Sequence, residues 1–382
     1  MDKKMVPEVR FKGFSDDWEQ HSFQNTLIIH SGKDYKHLNK GNIPVYGTGG
    51  YMLSVDEDLS KVDGIGLGRK GTIDKPQYLK APFWTVDTLF YMTPKPNFEI
   101  LFLYAIVQKF NWKKLNEASG VPSLSKKTIE KVIQFYPVQL EQKKLGILLK
   151  NITEAVLLQQ RQLDSYNKLK KGLLQKLFPK DGEKVPKVRF TNFTGDWEQH
   201  KLGMMAQIVR GASPRPIKSK KWFNDKSNIG WLRISDVTSQ NGRITHLTQR
   251  LSEAGQSKTR IVNTPHLLLS IAASVGKPVI NYIPTGVHDG FLIFLNPKFE
   301  IEYMFQWLTY YQNEWKKYGQ PGSQINLNSD IIKNQSLFIA TITEQKKIEN
   351  ILRHVDKLIA QQHKQLNELK SLKKYLLQKL FI

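Results

Sequence analysis

The chain has 382 residues, 40% of them apolar and 11% aromatic, which is enough for two ordinary cores and excludes a disordered polycation. It has no cysteine, which excludes disulfides, thiolate nucleophiles and cysteine-based zinc sites; no apolar run reaches the roughly 18–20 residues of a membrane span, and the N-terminus lacks the apolar core of a secretory signal, so a cytoplasmic protein is expected. The net charge of +23 points to a polyanionic partner, nucleic acid foremost.

Along the chain, Pro7, Arg10, Phe11, Phe14 and Asp17-Trp18-Glu19-Gln20-His21 come first and recur 179 residues later as Pro186, Arg189, Phe190, Phe193 and Asp196-Trp197-Glu198-Gln199-His200. Further on, Glu141-Gln142-Lys143-Lys144 and Leu173-Leu174-Gln175-Lys176-Leu177-Phe178 recur 203 residues later as Glu344-Gln345-Lys346-Lys347 and Leu376-Leu377-Gln378-Lys379-Leu380-Phe381. What lies between these bookends differs in sequence and is 24 residues longer in the second copy. A fixed frame with two different inserts suits a protein that reads two different things at a set separation. The division is 1–125 and 181–327 as globular domains, with 126–180 and 328–382 as conserved spacer helices. Net charge in chain order is +2, +8, +8 and +5, so the excess sits on the repeated tails and the second insert.

Within the first insert, Gly41-Asn42-Ile43-Pro44-Val45-Tyr46 predicts a short strand ended by the turn Gly47-Thr48-Gly49-Gly50. Pro44 cannot donate to a ladder, which places that strand at a sheet edge. Residues 65–72 read as another turn-rich stretch. Residues 99–115 carry a helical apolar pattern (Ile100, Leu103, Tyr104, Val107), repeated in the second insert by Ile301, Met304, Phe305 and Leu308. The inserts therefore read as diverged copies of one mixed α/β fold.

Each tail predicts a long helix with a coiled-coil seam. The steps 4, 3, 4, 3 run through Leu145, Leu149, Ile152, Val156, Gln159 and Leu163, and identically through Ile348, Leu352, Val355, Ile359, Gln362 and Leu366. Gln159/Gln362 and Lys170/Lys373 interrupt both seams at matching places, which fixes register and partner at some cost in stability. A lone apolar stripe cannot bury itself, so the two helices are expected to pack on each other, antiparallel.

Motifs for catalysis fail on context. Gly66-Leu67-Gly68-Arg69-Lys70-Gly71 fits G-x-G-x-x-G but is followed by Thr72-Ile73-Asp74-Lys75-Pro76, poor helix sequence for a phosphate site. Asn296-Pro297-Lys298-Phe299 resembles the base-holding motif of adenine methyltransferases, yet its counterpart Lys95-Pro96-Asn97-Phe98 reads as a turn before a helix. Glu141-Gln142-Lys143 has nuclease-like E-x-K spacing but opens a helix rather than lying on a strand. No Walker A or H-E-x-x-H pattern occurs.

Two variable inserts, each between a D-W-E entry and an E-Q-x-x-[IL] helix ending in L-L-Q-K-L-F, resemble the specificity subunit of type I restriction-modification enzymes over essentially the whole chain. Residues 41–50 with 65–72, Trp84 and Asp87 look like one target-recognition subtype. Arg210-Gly211-Ala212-Ser213-Pro214, Trp231-Leu232-Arg233-Ile234-Ser235-Asp236 and Ser274-Val275-Gly276 look like another. The resemblance implies a mixed α+β chain of two target-recognition domains, separated by two long antiparallel coiled-coil helices with a pseudo-twofold internal repeat. It implies no catalysis by this chain, double-stranded DNA as ligand, and two modification (methyltransferase) subunits and restriction (motor-nuclease) subunits as partners. S-adenosylmethionine, ATP and Mg are expected in those partners, and no cofactor or metal in this chain. Expected DNA contacts are Lys33, Tyr35, Lys36, Tyr46, Thr48, Arg69, Lys70 and Thr72 in the first domain. In the second they are Arg210, Ser213, Arg215, Lys218, Lys220, Lys221, Arg233, Ser274, Lys277, Gln324 and Asn326. Sequence alone leaves open a self-contained enzyme, a protein adaptor that does not read DNA, and a silent copy kept for recombination.

Overall fold

The computed structural model describes residues 5–271, 275–318 and 327–382, divided between two compact units, Met1–Gln162 with Gln362–Ile382, and Leu163–Gln361. Each repeated tail contains the long helix expected of it: α1 spans Gln139–Leu177 and α2 spans Ile342–Lys379. Each helix crosses the division, so each unit holds the start of one and the end of the other.

In the first unit, the Asp-Trp-Glu-Gln-His entry forms the strand Glu19–Ser22, antiparallel to Ile133–Tyr136, the strand that leads into α1. A four-stranded antiparallel sheet follows in the order Leu27–Ser31, Leu89–Pro94, Gly64–Gly68, Gln77–Leu79. A smaller sheet has the order Gly50–Val55, Lys40–Gly47, Trp84–Thr85. Helix Ile100–Lys109 buries Phe102, Leu103, Ile106 and Val107 with Leu27, Ile65, Leu67 and Met92 of the larger sheet.

Two expectations are corrected here. The strand carrying Pro44 is central in its sheet, not at an edge. Its second neighbour, Trp84–Thr85, is only two residues long and pairs at Val45 and Tyr46, so the missing N–H of Pro44 falls outside that ladder. The 65–72 stretch begins as a buried strand rather than a turn: Gly64–Gly68 puts Ile65 and Leu67 into the core, and the chain turns only at Gly71 (φ 88°).

The second unit repeats this plan with more strands. Glu198–Lys201 pairs antiparallel with Ser336–Ile339, which leads into α2. The main sheet runs Gln207–Arg210, Phe291–Leu295, Leu267–Ser270, Pro278–Asn281, Arg243–Ile244, only the last pairing being parallel. Gly230–Trp231, Thr285–Val287 and Arg260–Val262 form a three-stranded sheet. Helix Ile301–Tyr311 packs Met304, Phe305 and Leu308 against the main sheet. The turns before the two matching helices carry Asn97 (φ 71°) and Asn296 (φ 46°), left-handed positions that asparagine tolerates.

The repeated residues meet in space within each unit. Arg10 donates Nε and Nη2 to the two carboxylate oxygens of Glu141, both at 2.8 Å. Arg189 does the same to Glu344 at 2.8 and 2.9 Å. Both carboxylates are 0% exposed, so their place in the first turn of a helix is the lesser part of their role. The neighbouring glutamines are buried too: Gln142 Nε2 donates to the Pro137 carbonyl and Gln345 Nε2 to the Ala340 carbonyl. Their side-chain oxygens accept from the backbone N–H of Glu99 and of Glu300, which precede the insert helices. One motif thus ties the segment before the entry strand, the insert helix and the long helix together.

The Leu-Leu-Gln-Lys-Leu-Phe ends complete each core. Leu380 and Phe381 lie with Leu145, Leu149, Trp18 and Phe102 in the first unit; Leu177 and Phe178 lie with Ile348, Leu352 and Trp197 in the second. In each unit the end of one helix therefore packs beside the start of the other, which makes the pair antiparallel. The seam residues Leu145, Leu149, Leu163, Ile348, Leu352, Val355 and Leu366 are at most 5% exposed, and Ile152, Val156 and Ile359 are half-buried. Of the matched polar breaks, Gln159 donates its amide to Gln362, and to Gln365 at 3.0 Å. The other pair is unequal. Lys170 Nζ sits 2.5 Å from Asp356, which also holds Arg243 at 2.9 Å, while position 153, the counterpart of Asp356, is threonine. Burial lowers the pKa of Lys373.

Candidate nucleic-acid interface

In the second unit the strand Gln207–Arg210 runs into a basic loop that is pinned on both sides. Ala212 N donates to the Val287 carbonyl at 3.0 Å, and Trp222 Nε1 to the Pro216 carbonyl at 2.9 Å. Gly211 has to be glycine, because a Cβ would lie 2.2 Å from the His288 oxygen. Three of the expected contacts on this loop converge on one acid. Arg210 Nε donates to the Asp289 carbonyl at 2.6 Å, Ser213 Oγ to Asp289 Oδ1 at 2.7 Å, and Arg215 Nη2 to Oδ2 at 2.7 Å.

Burial works to raise the Asp289 pKa, but the Ser213 hydroxyl and the charges of His288, Arg215 and Arg210 outweigh it and hold the carboxyl below its usual range. The adjacent His288 ring is shifted down, chiefly by burial, against the pull of Asp289 and with the help of Arg215 and Arg210. Asp289 thus stays anionic and His288 neutral near pH 7. Arg215 remains 69% exposed, so its guanidinium is aimed by Asp289 without being covered.

Beside His288 opens a cavity of about 500 Å³ whose lining includes Ile217, Phe223, Trp231 and Ile234, with Lys218, Lys220, Arg233 and Gln249. Arg233 is held there: its backbone and guanidinium both bond Asp236, at 3.0–3.1 Å, and Nη2 reaches Thr248 Oγ1 at 3.0 Å. Lys221 lies 4.3 Å from the Trp222 ring centre. Lys277 immediately precedes the Pro278–Asn281 strand, its carbonyl accepting from Ser270 N, and follows Gly276, whose missing side chain admits Trp315. Ser274, Gln324 and Asn326 lie outside the described residues.

The first unit builds its loop in the same way. Lys33 N donates to the Thr85 carbonyl at 2.9 Å, Trp84 Nε1 donates to the Lys33 carbonyl at 3.0 Å, and a Cβ on Gly32 would lie 2.0 Å from the Val86 oxygen. Around the 85–88 segment the chain gathers Lys33, Tyr46 (whose carbonyl accepts from Val86 N), Arg69 and Lys70 (whose amides bond the Thr88 carbonyl). Thr48 adjoins Gly71, between Lys70 and Thr72. Lys33, Lys36, Arg69 and Lys70 are exposed. Tyr35 and Tyr46 are half-buried against the cluster that includes Val45 and Trp84, so packing holds part of each side chain.

Sequence reasoning missed Asp289, His288, Phe223 and Gln249. Asp289 is 79 residues from Arg210 and 74 from Arg215, and no spacing rule links them. The available signal was the surplus of cations in residues 210–221, which needs an acid somewhere to orient it. Among the described residues no cluster of histidine and acidic side chains could hold a metal, and no helix is long and apolar enough to cross a membrane.

The sequence model of the type I restriction modification DNA specificity domain matches twice, over residues 23–167 and 194–371. This chain belongs to that family. It is a specificity component of a type I restriction-modification system and not an enzyme. A curated relative, the MjaVIII specificity subunit of Methanocaldococcus jannaschii, is 22% identical over 332 residues, 83% of this chain and 75% of the relative. The type I S subunit of M. genitalium superposes with a TM-score of 0.71 over 99% of both chains at 14% identity. A chain from a structural study of complex assembly and conformational transition in a type I system gives 0.52 over 97% of this chain and 99% of its own, also at 14% identity. The structural likenesses establish a shared fold with two globular domains and two long helices.

Proposed function

We propose that this specificity subunit reads a split DNA site, with residues 1–125 and 181–327 as two target-recognition domains that each contact one half. The spacer segments, residues 126–180 and 328–382, whose long helices are Gln139–Leu177 and Ile342–Lys379, set the unread gap and dock two modification subunits, to which restriction subunits are added. S-adenosylmethionine, ATP and Mg act in those partners, and the complex works in the cytoplasm, where the DNA is. The observation that carries this reading is the doubled frame: the same Arg–Glu clasp recurs in both units, and each unit carries a different basic loop, one beside residues 85–88 and one beside Asp289. Phosphates would be met by the exposed cations, and base edges by the few oriented groups, Arg215, Arg233, Thr48 and Arg69 among them. The assembly described for a structural relative supports partner docking.

The test is to insert four residues into each helix at matched points, after Gln159 and after Gln362. Each helix lengthens by about 6 Å, and at about 3.4 Å per base step the gap between half-sites grows by one or two base pairs while both half-sites stay the same. A changed half-site sequence contradicts the proposal.

A further inference from the structure

The fold sets three of the expected contacts, Lys218, Lys220 and Arg233, around one concavity. Its volume is about 500 Å³, with Phe223, Trp231 and His288 in its lining. The aromatic groups are mutually braced: Phe223 and Trp231 ring centres are 6.4 Å apart, and Trp231 and His288 5.5 Å apart, both at 60°. A flat basic surface is sufficient to hold duplex backbone. A hollow with an aromatic wall and a cationic rim fits something else, a planar group entering edge-first with a phosphate left at the mouth.

We propose that this cavity takes up one unstacked nucleobase of the half-site read by the second domain. The inference rests on the DNA-reading function proposed above. The base packs against Phe223 and Trp231, its flanking phosphates meet Lys218 and Lys220, and Gln249 and neutral His288 offer an amide and an imidazole to its edge. Arg233, fixed by Asp236 and Thr248, borders the entrance without having to reorganise. No bond is made or broken; the base leaves its stack and returns. A free mononucleotide has the same chemistry, and the experiment separates the two sources.

The full-length chain selects its site from a random duplex library, and the selected duplex is then scanned with an abasic nucleotide opposite each base in turn. Removing a pairing partner relieves the cost of extruding the base, so at one position in the second half-site affinity rises at least five-fold. That gain disappears in Phe223→Ala and in Lys220→Ala, while affinity for the unmodified site falls by less than ten-fold. Permanganate reactivity of thymines placed at that position reports unstacking independently of affinity. Specific binding with no position that gains, or a gain unchanged by Phe223→Ala in a protein whose Tm matches wild type, overturns the inference and leaves DNA reading intact. Binding of dAMP to the cavity below 100 µM without any gain in the scan overturns it in favour of a free nucleotide. If selection enriches no sequence, the DNA-reading proposal itself fails.

Discussion

Replacing Arg10 or Arg189 by leucine leaves a carboxylate that is 0% exposed without its guanidinium. Breaking a well-formed buried pair by removing one partner costs about 3–5 kcal/mol. The arginines keep 13% and 17% exposure, which places these two near the low end of that range. The two sites are not equivalent, however. Trp197 Nε1 also donates to Glu344 Oε2 at 3.2 Å, whereas the buried Trp18 Nε1 has no hydrogen-bond partner. After Arg189→Leu one donor to the charge remains; after Arg10→Leu none of the side-chain donors does. A hydrogen bond to a charged group is worth about 1.5–3 kcal/mol, so Arg10→Leu is expected to be the more damaging by about that much. Arg10→Leu with Glu141→Leu should recover most of the loss, because no buried charge is left. Two units make a single unfolding free energy ill-defined. The assay is therefore hydrogen exchange through guanidinium titration, read at the amides of Glu19–Ser22 with Ile133–Tyr136 and of Glu198–Lys201 with Ser336–Ile339. Wild-type protection in Arg10→Leu, or a double variant less stable than Arg10→Leu, would refute the reasoning.

Asp289→Ala should lower the ratio of specific to non-specific DNA binding at least ten-fold with little loss of non-specific affinity, since Arg215 and Ser213 lose the acid that aims them; competition against random duplex measures this. Lys220→Ala should reduce the slope of log affinity against log salt by about 0.9, one phosphate contact's share. Gly32→Ala and Gly211→Ala force a Cβ to within about 2 Å of a carbonyl oxygen; an overpacking cost of about 1–3 kcal/mol should show as lost protection of the loop that follows. Glu349 is shifted up by burial, with Glu300 and Glu302 adding to it against the Tyr303 backbone and Arg353. A carboxyl whose folded pKa is raised destabilises as pH rises through the interval from its unfolded to its folded value. Glu349→Gln should thus stabilise by under about 1 kcal/mol at neutral pH and not at all below the ordinary carboxyl range, as denaturant midpoints across pH will report.

The internal repeat made the plan legible. Both spacer helices and their seams follow from the repeated 4, 3, 4, 3 steps, because heptad spacing is a local signal that survives without any tertiary information; that Gln159 meets Gln362 came from the structure. The clasp was legible only as a coincidence of repeated residues: Arg10 and Glu141 are 131 positions apart, and nothing local says that they touch. Pro44 misled because a backbone rule about ladders was applied without knowing that the neighbouring strand is two residues long. Gly64–Gly68 misled because glycine-rich composition suggests turns, and only burial against Leu79 and Phe83 shows why the strand carries so little bulk on that face. The basic loops were visible as charge, whereas Asp289 and the aromatic wall beside them were not, since orientation comes from partners far along the chain.

The central claim is that this chain dictates which DNA sequence its complex modifies. The most direct measurement is genome-wide adenine methylation in cells carrying the gene with its matching modification subunit, against cells lacking only this gene. The account predicts one split motif with a fixed gap that is present in the first and absent from the second. Replacing residues 181–327 with those of a relative should then change one half of that motif and leave the other untouched. Identical methylation in the two cell lines, or a swap that alters both halves, would contradict it.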